Sequence, residues 1–235
     1  MKPIIKTIII LTIFSIAMGF MESAIVVYLR ELYYPGGFDF PLAPLDNHIL
    51  LTELLREAAT LIMLVTIGLI AGKNAIQKFA FFLFSFAVWD IFYYVFLKLL
   101  IGWPASLFTW DILFLLPVPW IGPVLVPCIL SLTMMLFTAM VIYLQQKQHP
   151  VIIRWFDWAM IIAACLIILI TFTYDYFSII LSSGTPANAD GMLEQLKGYV
   201  PEYYNWFAFI IGEIILLYGF SFIFARNLKS KNIDY

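Results

Sequence analysis

Five carboxylates, two arginines and a pair of tyrosines carry most of the chemical information in this chain. LLTELLREAATL places Glu53 and Glu57 four residues apart with Arg56 between them, so all three share one side of a helix. FAVWDIFYYVF sets Asp90 among ten apolar or aromatic residues, with Tyr93 and Tyr94 about one turn further on. Glu22 lies in AMGFMESA, where Ala17, Gly19, Ser23 and Ala24 let a second helix approach closely. Asp111 follows in FTWDILF, and Arg30 closes the run that contains Glu22.

Acids of this kind suit two chemistries. All-oxygen coordination fits a hard divalent cation, Mg, Mn, Ca or Fe, with Glu22, Glu53, Glu57, Asp90, Asp111 and His48 as the candidate ligands. The other is proton handling by Asp90 and Glu57 as catalytic groups, with Arg56, Arg30, Tyr93 and Tyr94 holding a substrate and an arginine gripping an anionic head group through two parallel hydrogen bonds. Two bland alternatives compete: a Glu53 to Arg56 ion pair at a helix start, and a protonated Asp90 satisfied by a neighbouring carbonyl or tyrosine. No stretch matches a phosphate-binding loop, a zincin helix, a nucleophile elbow or a dinucleotide fingerprint, so no nucleotide or flavin signature is present. His48 and His149 lie at ends of separate helices, which argues against haem.

The elements that must position these groups are set by composition. The 235 residues are 63% hydrophobic and 12% charged, and the mean hydropathy is +0.97, values that exclude an ordinary soluble domain. A net charge of -2 without basic runs gives no sign of nucleic acid. Cys128 and Cys165 sit in apolar runs and read as small hydrophobes. Six runs reach spanning length, at about 5–29, 50–72, 77–101, 120–144, 156–182 and 203–225. The amino-terminal run has the charged start of a secretory signal, but it continues through AIVVYL to spanning length and is read as the first transmembrane helix.

The expected fold is therefore an all-α, polytopic integral membrane protein of six transmembrane helices, forming one membrane-embedded domain over residues 1–235. Nine Lys and Arg residues fall on one side against four on the other, which predicts both termini in the cytoplasm and a multi-pass protein of a prokaryotic inner membrane. The segment from Pro104 to Pro117 is apolar but too short to span, so it is expected to form a short interfacial or re-entrant half-helix between helices 3 and 4, capped by Ser106 or Thr109.

Counting along each helix at about 1.5 Å per residue puts Asp90 and Glu213 near mid-membrane and Glu22 and Glu57 in the outer half. Ionisable groups inside a bilayer cost about 2.5 to 3.5 kcal/mol each on insertion scales, so a one-sided set predicts a polar cavity opening outward. The expected function is a membrane-embedded enzyme that binds a cation and acts on a lipid-like or amphipathic molecule. A small secondary transporter or substrate-binding subunit, and an accessory subunit of a larger complex, are the alternatives. Membrane lipid and a lipid-like ligand are the expected partners, and a homo-oligomer or larger assembly is compatible with the sequence.

Overall fold

A computed structural model describes residues 2–43, 46–149, 151–183 and 199–230. Six helices are long and apolar enough to cross a membrane. They are α1 (Lys2–Tyr33), α2 (Asn47–Ala71), α3 (Ala75–Ile101), α4 (Leu125–Gln146), α5 (Trp155–Ser183) and α6 (Trp206–Ser230). The chain has the composition and helices of a multi-pass membrane protein. Lys197 and Lys231, which enter the charge count, and most of the loop between α5 and α6 lie outside the described residues.

The third helix is the hub. It packs against α1, α2 and α4, while α5 pairs with α6 and α4 bridges to α6. The tight turn from α2 into α3 is closed by reciprocal side-chain bonds: Asn74 Oδ1 accepts from the Gln77 N–H at 3.0 Å, and Gln77 Oε1 accepts from the Lys73 N–H at 2.7 Å. Small residues permit close approach on both flanks of α3. A β-carbon at Gly68 would lie 2.7 Å from the Phe82 nitrogen, and one at Gly19 would lie 3.0 Å from the Trp89 carbonyl oxygen.

The segment between α3 and α4 corrects the expectation of a half-helix. It forms an antiparallel hairpin of β1 (Trp110–Phe114) and β2 (Trp120–Pro123), in which Asp111 faces Gly122 and Phe114 faces Trp120. The sequence reason is visible afterwards: Trp, Ile and Phe favour strands, and Pro117 and Pro119 between the strands cannot continue a helix. Ser106 and Thr109 do not cap a helix. The Ser106 N–H donates to Thr109 Oγ1 at 3.0 Å and the Phe108 N–H to Ser106 Oγ at 3.2 Å, a turn leading into β1. The fourth helix correspondingly starts at Leu125 rather than near 120, because Trp120–Pro123 is a strand.

A two-stranded sheet in an apolar medium must have its edge groups satisfied by protein. Here β2 packs on α5 and α4, and the Val124 and Leu125 N–H groups donate to the carbonyls of Thr109 and Leu107 at 3.0 and 2.7 Å. The turn that follows β1 is met by a side chain of α2.

Candidate functional site

That side chain is Glu57. Its Oε1 and Oε2 accept from the Leu115 N–H at 3.0 and 2.9 Å, and Oε2 also accepts from the Leu116 N–H at 3.2 Å. Two backbone donors of the turn after β1 thus end on one buried carboxylate, which fastens the hairpin to α2.

The preceding residue, Arg56, lies between two acids. Its Nε and Nη2 donate to Glu53 Oε2 at 2.9 and 2.7 Å, and it also makes an ion pair with Glu22 of α1. The Glu53 to Arg56 pair read from helical spacing is present, and it is extended across to α1. Thr60 Oγ1 completes the cluster by donating to Glu22 Oε2 at 3.2 Å. Burial of a guanidinium is tolerable only with such compensation.

Arg30, at the far end of α1, reaches β1. Its Nη2 donates to Asp111 Oδ1 at 3.2 Å, and the guanidinium carbon sits 3.6 Å from the Trp103 ring centre and 4.3 Å from that of Phe38. Asp111, only 2% exposed, also accepts from the Tyr94 hydroxyl through Oδ2 at 3.3 Å. Burial pushes its carboxyl up to about 6, and Arg30, the Ile112 N–H and the Tyr94 hydroxyl hold it from rising further. Burial likewise raises the Tyr34 phenol, whose oxygen accepts from the Ala43 N–H at 2.7 Å and closes the loop after α1.

Asp90 lies deepest on α3. Its Oδ2 accepts from Ser131 Oγ of α4 at 2.8 Å, so the partner is a hydroxyl across the helix interface rather than the tyrosines one turn above. Tyr94 belongs to Asp111 instead. Ser23 Oγ donates to the Tyr93 carbonyl at 3.0 Å, tying α1 to α3 beside Gly19.

These groups surround one cavity of about 140 Å³. Glu22 and Arg30 come from α1, Glu53, Arg56 and Glu57 from α2, Asp90, Tyr93 and Tyr94 from α3, and Asp111 from β1. Every candidate site residue except His48 lines it. His48 is exposed in the first turn of α2 and points to no shared site with the acids. Among the described residues no three Asp, Glu, His or Cys side chains are placed to hold a metal ion. The physical reason is that each carboxylate has its own donors: Arg56 takes Glu22 and Glu53, the hairpin takes Glu57, Ser131 takes Asp90 and Arg30 takes Asp111.

Sequence reasoning missed the apolar and aromatic half of the wall. Trp89, Tyr34 and Phe38 line the cavity with Val26, Leu29 and Leu115. Val26, Leu29 and Arg30 follow Glu22 at helical spacing, a signal that could have assigned that face of α1. Nothing local marks Ser131. Glu213, left without a partner by its own helix, receives a hydrogen bond from Thr133 of α4, away from this cavity.

The arrangement can grip a polar group with two preset guanidiniums, exchange protons through Asp90 or Asp111, and shelter an apolar shoulder against the aliphatic wall. Compared with protein-family models, curated proteins and solved structures, the chain matches none.

Proposed function

We propose that this chain is a membrane-embedded enzyme that admits the polar end of a lipid-like, amphipathic molecule into the cavity beneath the hairpin. The cavity lies in the outer half of a prokaryotic inner membrane, with both termini cytoplasmic, as the charge distribution favours. One observation supports the reading above all: carboxylates, guanidiniums and phenols from three helices and a hairpin line a single cavity, although helix packing in lipid requires none of them.

Within this reading Arg56 and Arg30 orient the head group, and Asp90 at the floor is the proton-transferring residue. Glu57 is a positioning residue that acts through the hairpin. The individually paired carboxylates favour proton handling over the coordination of a divalent cation.

The test is native mass spectrometry of purified protein carrying its co-purified lipids, comparing wild type with Leu29→Trp, which fills the cavity, and Asp90→Asn. The expected outcome is a defined amphipathic adduct in wild type, lost in Leu29→Trp, and retained but not converted in Asp90→Asn. Adducts that are identical in wild type and Leu29→Trp would overturn the site. A stoichiometric divalent ion lost in Asp90→Asn would replace this reading with metal-dependent chemistry.

A further inference from the structure

The buried polar atoms of this cavity that lack partners are all donors. Arg30 spends Nη2 on Asp111, and its stacked position against Trp103 leaves Nη1 buried without an acceptor among the described residues. The Arg30 side chain is only 8% exposed. Trp103 Nε1, on the ring stacked against that guanidinium, and Trp89 Nε1, in the cavity wall, are also buried without acceptors. By contrast, no buried carboxylate oxygen of the cavity lacks a partner among the described residues. Buried donors left unmade carry their full desolvation cost, so the site calls for acceptor atoms.

Charge narrows which acceptor. Five carboxylates, Glu22, Glu53, Glu57, Asp90 and Asp111, face two guanidiniums, both already paired with acids. A further anion would enter against that excess, whereas an uncharged oxygen accepts the same hydrogen bonds without it. Resting on the ligand-binding reading above, we infer that the head group taken by this cavity is an uncharged oxygen acceptor, held by Arg30 Nη1 and the indole N–H of Trp89, the two cavity-lining residues with buried donors left over. A glycerolipid ester and a quinone carbonyl share this chemistry.

Native mass spectrometry of the full chain, titrated separately with dioleoylglycerol, decylubiquinone and dioleoyl phosphatidic acid, distinguishes the sources. Trp89→Phe replaces the indole by a smaller aromatic ring that lacks the donor, and Trp155→Phe, the same change at a position 81% exposed, is the control. The expected result is saturable binding of a neutral probe, weakened about three- to tenfold by Trp89→Phe, and unchanged in the control. Preference for dioleoylglycerol assigns an ester, and preference for decylubiquinone assigns a ring carbonyl. Tighter binding of phosphatidic acid than of either neutral probe would overturn the inference, as would unchanged affinity in Trp89→Phe. If Leu29→Trp still abolishes binding in those cases, the cavity reading survives. Absence of binding by all three probes overturns the inference, and it removes the cavity reading as well when wild type and Leu29→Trp also carry the same co-purified lipids.

Discussion

The carboxylate of Glu57 and the backbone of Leu115 are joined by two hydrogen bonds, 3.0 and 2.9 Å long, across 58 residues of sequence. The contact fastens the turn after β1 to α2, and both residues line the cavity. Replacing Glu57 with alanine strands the Leu115 and Leu116 donors. Glu57→Ala is expected to lower stability by about 2 to 4 kcal/mol, with Glu57→Gln, which keeps one acceptor, losing about half of that. Thermal melting in detergent reads the loss, and limited proteolysis between residues 104 and 120 should quicken in Glu57→Ala first.

Arg56 compensates two acids at once, so its removal leaves both uncompensated. Arg56→Gln is expected to cost about 3 to 5 kcal/mol, as for breaking a buried ion pair from one side. The triple variant Glu22→Gln, Glu53→Gln, Arg56→Gln should recover most of that, because no unpaired charge remains. Equal melting temperatures for the single and triple variants would contradict the bridging role.

Asp111 connects stability to pH. Its folded carboxyl titrates at about 6 against an ordinary 3.8, so between those values the folded chain holds a proton that the unfolded chain has released. The unfolded state then binds fewer protons, and stability falls as pH rises across that window before levelling off. The effect is bounded at roughly 3 kcal/mol. Melting of wild type relative to Asp111→Asn from pH 4.5 to 7.5 should show wild type losing ground up to about pH 6 and a constant difference above it. A difference that grows in favour of wild type with rising pH would contradict the assignment.

Gly68 and Gly19 let α2 and α1 approach α3, and Gly19 does so against the backbone of the cavity residues Trp89 and Tyr93. Gly68→Ala places a methyl 2.7 Å from the Phe82 nitrogen, where backbone must shift, and an overpacking cost of about 1 to 3 kcal/mol is expected. Gly19→Ala meets the Trp89 carbonyl at 3.0 Å and displaces the stretch bearing Trp89 and Tyr93, so it should weaken ligand binding more than it lowers the melting temperature. Melting curves and adduct titrations on the same preparations separate the two effects.

How much could be read before the fold was known differs by residue. Glu53, Arg56 and Glu57 were placed on one face by spacing alone, and the Glu53 to Arg56 bond is local. The shared cavity of Glu22 and Asp90 followed only as an expectation from depth. Helical spacing points Tyr94 along α3 towards Asp90, whereas its hydroxyl meets Asp111 from β1, a neighbour that spacing cannot show.

Composition and period alone determined the class of protein and its six helices of spanning length, since these depend on the free energy of moving local segments out of water. Tertiary structure decided the hairpin and every acid's partner. Glu57 to Leu115, Arg30 to Asp111 and Asp90 to Ser131 each join elements distant in sequence, and the strand fate of Trp110–Phe114 depends on its pairing with β2. Periodicity records which face a side chain occupies, but the neighbour on that face is set by how the helices cross.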